Sequence, residues 1–186
     1  MTTAPPLKPT LWRTCRVLAN RTRLQVFGLL VDQPAQSVSA VAWQLQLPLP
    51  VASQSLRALE ARGLLTVHRV GRRVRYGLNT TTGGAAPELV PPLRAAFRSG
   101  PLAVNSIFRL ATAFTHPRRV EIYRVLKVQA GTVGQVRAAT RISVPALLRH
   151  LEKLKARGFV ARRRGVYSAT TPRAGFGRVL ARLAAQ

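Results

Sequence analysis

The feature that most constrains the fold of this chain is an internal repeat. The stretch PVASQSLRALEARGLL at 50–65 aligns without gaps on PALLRHLEKLKARGFV at 145–160, and both contain an Ala-Arg-Gly run. Farther upstream, ANRTRLQVFGLL at 19–30 matches THPRRVEIYRVL at 115–126 with the same apolar spacing. The offsets are 95 and 96 residues, so the chain is predicted to contain two copies of one structural unit.

Apolar residues at helical spacing predict four helices at the start of the first copy. The expected helices cover 11–19, 22–31, 38–45 and a segment that starts near Pro50 and ends before Gly63. Ser37 is a suitable N-cap for the third helix, and Pro50 is tolerated in the first turn of the fourth. Gly63 stands where a C-terminal cap is expected.

After the fourth helix the hydrophobic period changes from 3.6 to 2. Two strands are expected over 65–70 and 74–78, with Gly71 and Arg72 near the turn between them. The second strand is expected to have one apolar and one cationic face, formed by Val74, Tyr76 and Leu78 and by Arg73, Arg75 and Gly77. Three helices followed by a hairpin is the element order of a winged helix-turn-helix module.

The second copy follows the same order, with a shorter hairpin that turns near Gly165. Its helices are expected over 102–114, 118–127, 133–138 and 145–157, and its strands over 159–164 and 166–169. The segment 80–92 is rich in Thr, Gly and Pro, which predicts a linker, with a short helix over 93–98. The predicted organisation is a flexible tail at 1–10, winged helix-turn-helix domains at 11–79 and 102–171, a linker at 80–101 and a C-terminal helix at 172–186.

The charge of the chain restricts its partners. Thirty Lys and Arg residues against five Asp and Glu residues give a net charge of +25, which attracts polyanions. Nucleic acid is the expected partner, and an anionic membrane is the other polyanion that such a charge would attract.

No segment approaches eighteen uninterrupted apolar residues, so no membrane span is expected. The single cysteine, Cys15, allows no intrachain disulfide, and the start MTTAPPLKPT lacks the apolar core of a secretory signal. The chain is therefore expected in the cytoplasm, associated with the nucleoid.

Two segments carry a family resemblance. LANRTRLQVFGLL at 18–30, and SQSLRALEARGLL at 53–65 with the arginine hairpin that follows, resemble the bacterial ArsR/MarR-type winged-helix transcriptional regulators. Metal-sensing members have paired cysteines in the third helix, where this chain has SVSAVAWQLQL, so no metal and no cofactor is expected. Members are usually homodimers with one winged helix each. The resemblance therefore implies a mainly α fold with small β-hairpins (α+β), as tandem domains in an intramolecular pseudo-dimer. The sequence is consistent with a monomer that acts as this pseudo-dimer and also with a homodimer.

The resemblance implies that the fourth helix of each copy enters the major groove of double-stranded DNA. The candidate DNA-binding residues on these helices are Val51, Ser53, Gln54 and Arg57 in the first copy and Ala146, Arg149, His150 and Lys153 in the second. Wing hairpins contact the DNA backbone, and planar guanidinium groups donate paired hydrogen bonds to phosphate. The wing candidates are Arg69, Arg72, Arg73, Arg75, Arg162, Arg163 and Arg164.

No Ser/His/Asp arrangement, phosphate-cradling glycine loop or carboxylate pair is present in the sequence, so the chain is not expected to be an enzyme. Trp12 and Trp43 are expected in the core. The expected function is transcription regulation through two recognition helices and two arginine-rich wings. Two alternatives remain open: a sequence-tolerant architectural DNA-binding protein of the nucleoid, and a tandem winged-helix interaction subunit of a replication or segregation complex.

Overall fold

The computed structural model describes residues 10–71, 73–81, 86–173 and 175–186, so Arg72 and most of the predicted tail lie outside the described residues. In the first half the elements are α1 (Leu11–Leu18), α2 (Arg21–Asp32), α3 (Val38–Gln44), α4 (Leu49–Glu60), β1 (Leu65–Val70) and β2 (Arg73–Leu78). A 3-10 helix (Pro87–Leu89) and α5 (Val90–Arg98) follow. The second half contains α6 (Ala103–Ala111), a 3-10 helix (Thr112–Phe114), α7 (Pro117–Val128), α8 (Val133–Thr140), α9 (Val144–Ala156), β3 (Val160–Arg163), β4 (Val166–Ala169) and α10 (Gly175–Ala185).

Side-chain caps fix the starts of several helices. The predicted N-cap of α3 is confirmed, because Ser37 Oγ accepts a hydrogen bond from the Ala40 amide at 3.2 Å. Asn20 Oδ1 accepts from the Arg23 amide at 2.9 Å at the start of α2. The equivalent helix of the second half, α7, begins after His116, whose Nδ1 accepts from an α7 backbone amide. Local sequence therefore determines where these helices begin.

The turn from α4 to β1 and the turn from α9 to β3 are built in the same way. Gly63 and Gly158 have φ angles of +69° and +81°, a region that disfavours side chains. Beyond them the chain closes back on the helix, with Leu64 N donating to Leu59 O at 3.1 Å in the first half. The predicted cap position differs slightly, because α4 ends at Glu60 and Gly63 lies two residues past the C-cap.

Each hairpin is antiparallel and tightly turned. In the first, Val70 pairs with Arg73 around Gly71, and in the second a turn of Arg164 and Gly165, with φ angles of +48° and +80°, joins β3 to β4. A short third segment pairs with each hairpin through two backbone hydrogen bonds. Tyr76 bonds to Gln36 and Tyr167 bonds to Gly131, at 2.8–3.1 Å.

The predicted faces of β2 are only partly correct. Tyr76 is 7% exposed, as expected for the apolar face, whereas Val74 is 36% exposed and Gly77, assigned to the cationic face, is buried. The hairpin packs against α2, α3 and α4. Near its tip His68, Arg69, Gly71 and residues 73–75 are exposed, so this end extends into solvent.

The segment predicted as a linker contributes to the core. Ala86, Leu89 and Val90 are buried where a loop was expected over 80–92, and Leu93 of the predicted short helix is buried beside them. Pro91 and Pro92 suggested a loop, but they lie in the first turn of α5, where proline is tolerated.

The two halves pack together through their flanking helices. α1 packs against α6 and the 3-10 helix that follows it, and α5 packs against α10. The buried apolar residues form one continuous cluster, which includes Leu18, Phe27, Leu93, Ile107, Phe114 and Leu180. Across the halves the Arg21 guanidinium lies 4.7 Å from the centroid of the Phe108 ring. Arg182 and Glu88 form an ion pair across the halves, with 2.7 Å between Arg182 Nη2 and Glu88 Oε2. The geometry of this contact is not that of a hydrogen bond, and Glu88 Oε2 has no hydrogen-bond partner in the described structure.

A pair of glycine substitutions tests the packing of α10. An ideal Cβ at Gly177 lies 2.8 Å from Pro172 Cβ, whereas one at Gly134, also in the first turn of its helix, meets nothing closer than 3.9 Å. Gly134→Ala should raise the free energy of unfolding by up to about 1 kcal/mol. Gly177→Ala should lower it by about 1 kcal/mol or more, because a rigid ring must move. Urea unfolding measures both, and equal stabilisation by the two changes would contradict the close approach.

Candidate nucleic-acid interface

The wing of the first half presents its described arginines to solvent. Arg69, Arg73 and Arg75 are all exposed. In the hairpin register Arg75 lies opposite His68 and Arg69 lies opposite Val74, so cations are present on both faces of the ribbon. None of the three ion pairs in the described residues includes a wing arginine. These guanidinium groups are therefore available to an external anion.

The wing of the second half is shorter and carries three arginines. Arg162, Arg163 and Arg164 are exposed on β3 and in its turn. The Arg162 guanidinium lies 5.5 Å from the centroid of the buried Tyr167 ring, which orients it along the sheet. Arg163 pairs across the hairpin with exposed Val166.

The outward face of α4 agrees with its predicted composition. Ala52, Leu56 and Leu59 are buried, with Ser55, while Val51, Gln54 and Arg57 are exposed and Ser53 is half-buried. An amide and a guanidinium one turn apart are groups that hydrogen-bond to adenine and guanine edges in a major groove.

The outward face of α9 differs from the prediction at Ala146 and His150. Arg149 is exposed as expected, Leu148 is exposed beside it, and Lys153 is half-buried. Ala146 is half-buried and packs against the hydrophobic core. His150 faces the start of α7, where its ring stacks on that of His116 with the centroids 4.9 Å apart.

Cations surround this histidine pair. Burial and the neighbouring guanidinium groups of Arg119 and Arg118 lower the pKa of His116 below its ordinary value, and Arg16 of α1 acts in the same direction. Burial is also the main cause that lowers the pKa of His150, followed by His116 and Arg119. No local sequence pattern predicts this contact, because the two rings come from positions 34 residues apart and meet only through tertiary packing.

The first half exposes an apolar surface that the sequence did not predict. Trp43, expected in the core, is 85% exposed, and Leu49 is 56% exposed. α3 is only two turns long and buries Val41 and Ala42, so Trp43, two positions after Val41, lies on the opposite side of the helix. Shallow grooves connect Trp43 with Leu49, and Leu49 with Val74 on the wing. Trp12, the other tryptophan, is partly buried beside Arg13 and Arg16.

Cys15 is fully buried in α1, and burial raises the pKa of its thiol far above the ordinary value. Within the described residues no group of three or more His, Cys, Asp or Glu side chains lies close enough together to hold a metal ion. No helix in the same part of the chain is long and apolar enough to cross a bilayer.

The mostly helical structure with two small antiparallel hairpins is compatible with a winged helix-turn-helix protein. A family model described as bacterial regulatory protein, arsR family, matches residues 116–162, from the cap of α7 to Arg162 in the second wing. This segment therefore resembles the DNA-binding domain of those regulators, and the match supports DNA-binding regulation of transcription. No curated protein and no solved structure matches the chain.

The histidine pair predicts how stability depends on pH. Because folding lowers both pKa values, the unfolded chain takes up more protons in acid, and stability present above the unfolded pKa of about 6.5 is lost as the pH falls below it. His116→Asn combined with His150→Ser should reduce this loss. Urea unfolding at pH 7.5 and 5.5 in phosphate-free buffer checks it, and an identical loss in both proteins would contradict the assignment.

Proposed function

We propose that this protein is a transcriptional regulator that binds duplex DNA through two winged helix-turn-helix units in one chain. The observation that carries the proposal is the second half. There a segment matching the arsR family model contains Arg149 on α9 and Arg162 on the hairpin, and Arg163 and Arg164 follow directly after it. No acidic partner neutralises these arginines among the described residues. The proposed role is non-catalytic and cytoplasmic, at the nucleoid.

We infer that α4 and α9 are the two recognition helices. Their outward residues, Gln54 and Arg57 on one and Arg149 and Lys153 on the other, contact base edges, while the wings contact the sugar-phosphate backbone. Phosphate contacts carry little sequence information, so discrimination comes from the helices and affinity comes largely from the wings.

The proposed assembly is an intramolecular pseudo-dimer. Its support is that equivalent elements meet: α1 with α6, each preceding its own repeat unit, and α5 with α10, each following its own wing. In a two-fold dimer a surface of one subunit packs against the same surface of the other subunit. Here the two equivalent surfaces belong to a single chain.

The charge distribution favours a division of labour between the halves. Residues 1–92 contain eleven basic and three acidic residues, a net of +8, whereas residues 93–186 contain nineteen and two, a net of +17. Nonspecific affinity grows with the number of phosphates neutralised, so the second half should supply most of the affinity. The first half, with Gln54 and Arg57 on its outward helix face, should supply most of the discrimination.

A specific observation favours a second candidate, the interaction subunit. The apolar surface formed by Trp43, Leu49, Val51 and Val74 covers the side of the first helix-turn-helix where DNA is expected. Contiguous exposed apolar surface often marks a protein-binding site. In this alternative the first half binds a protein, and only the second half binds DNA.

The wing and helix assignments predict two different outcomes. Arg73→Ala with Arg75→Ala should weaken binding to all duplexes about equally and flatten the salt dependence, because phosphate contacts are lost. Gln54→Ala or Arg57→Ala should instead relax preference at particular base pairs, by about 1–3 kcal/mol each. Fluorescence anisotropy would compare random DNA with a duplex that the wild-type protein selects from a random library.

The matched control for these variants is Arg94→Ala with Arg98→Ala, which removes two exposed charges from α5, outside the wings and recognition helices. Equal weakening by this control would mean that only net charge matters. A regulator should favour its selected duplex by roughly a thousandfold or more, and an architectural protein should not.

Trp43 reports whether DNA covers the first helix-turn-helix. The chain contains two tryptophans, so in Trp12→Phe the emission comes from the exposed Trp43 alone. Saturating duplex DNA should shift or quench this emission if α3 and α4 lie against the groove. Unchanged emission under conditions where anisotropy shows full binding would favour the interaction-subunit alternative.

A further inference from the structure

Two histidines from different elements form a stacked pair at the junction of the halves. His116 precedes α7 and is exposed, and His150 lies midway along α9 and is half-buried. Their ring centroids are 4.9 Å apart and the rings are tilted by 36°. The Arg118 amide donates to His116 Nδ1 at 3.1 Å, so that nitrogen carries no proton in this arrangement. His116 is therefore neutral while it caps α7 in this way.

The charged groups that face the pair come from three elements and are mostly positive. The groups that act on the two rings are Arg16 on α1, Arg118 and Arg119 on α7, and Arg149 on α9. The same helices also carry Glu121, Glu152 and Lys153, with Arg157 just beyond α9. Both carboxylates are already occupied. Glu121 pairs with Arg118 at 2.9 Å and Glu152 pairs with Lys155 at 3.0 Å. No carboxylate among the described residues pairs with Arg16, Arg119 or Arg149.

Such a cluster is suited to a phosphate group. Guanidinium groups are permanently charged and bind phosphate oxygens in pairs, while a histidine beside them adds a proton only when an anion is present. Arg119 Nη2 donates to Thr115 Oγ1, but its Nε is buried without a hydrogen-bond partner in the described structure. The cluster thus contains more donors than acceptors.

We propose that His116 and His150, with Arg16, Arg118 and Arg119, form a phosphate-binding site that takes a phosphodiester of the DNA backbone and holds it more tightly when the histidines are protonated. The site deepens the proposed DNA-binding function and rests on it. Its position beside Arg149 on α9 places a backbone contact at the flank of the proposed recognition helix.

The first half provides the matched comparison. In the repeat alignment Asn20 stands at the position of His116 and Ser55 at that of His150. Asn20 caps its helix as His116 does, and Ser55 is buried in α4. The same fold therefore accepts a non-titrating pair at these positions, and His116→Asn with His150→Ser transfers that pair to the second half.

Proton linkage gives the sign of the effect. In the free protein burial and the surrounding cations lower both pKa values, and a bound phosphodiester opposes this by favouring the charged form. Binding then takes up protons, so affinity rises as the pH falls through the pKa values of the bound state, by at most tenfold per pH unit for each proton taken up.

The experiment measures Kd for a random duplex at constant ionic strength from pH 8 to 5.5, using the full chain. The wild type should gain about tenfold or more in affinity over this range, and His116→Asn with His150→Ser should gain at least threefold less, since only His68 then remains. Arg73→Ala with Arg75→Ala should bind more weakly but keep the wild-type pH slope. Equal slopes in the wild type and the histidine variant would overturn the proposal.

A second arm separates this site from the proposed function and from free phosphate. Histidine ring signals are followed by NMR against pH, with and without inorganic phosphate or duplex DNA. Duplex DNA should raise the pKa of His116 and His150, with a smaller effect of inorganic phosphate. If the chain binds no duplex at any pH, the proposed function fails, and the site stands only if phosphate still shifts both rings. Shifts with inorganic phosphate but not with bound DNA would overturn the backbone assignment. The single variant His150→Gln repeats the test should the double variant fail to fold.

Discussion

The apolar packing between the flanking helices is the interaction on which the rest of the molecule depends. A chain with a net charge of +25 repels itself when it becomes compact, and its few carboxylates form only three ion pairs in the described residues. Burial of apolar surface, which is favourable in any orientation, has to offset that repulsion. Each fully buried leucine, such as Leu18 or Leu180, contributes about 2 kcal/mol relative to exposure. Because this burial lies where α1 meets α6 and α5 meets α10, it also sets the spacing and orientation of the two wings.

Much of the fold could be predicted because its signals are local. The change of hydrophobic period, the cap at Ser37 and the glycines with positive φ depend on a few adjacent residues, and the strands of the first wing begin and end within one residue of the predicted bounds. The joining segment could not be predicted in this way. Proline is common both in loops and in the first turn of a helix, and only contact with α10 distinguishes these two cases for Pro91 and Pro92.

In the candidate site, too, only the features that depend on local sequence could be predicted. Exposure of Gln54, Arg57 and Arg149 follows from helical periodicity once the buried leucines are known. The stacked histidines and the exposed Trp43 do not follow, because each depends on which side of one helix another helix covers. A tryptophan in an apolar helix is expected to be buried, but α3 is too short to bury more than one side.

Comparison of the two halves shows which positions were free to diverge. Leu56 and Leu59 keep leucine at the equivalent positions, whereas the outward pairs Gln54 and Arg149, Arg57 and Glu152, and Ser53 and Leu148 differ in size or charge. Core packing constrains the buried positions, while the outward ones affect only what the surface binds. A homodimer must present two identical faces and therefore suits a palindromic site. One chain with two diverged faces is free of that requirement, so the proposed pseudo-dimer is suited to a DNA site whose two halves differ in sequence. In this proposal an amide and a guanidinium read one half-site, and the other half-site is bound mainly through charge.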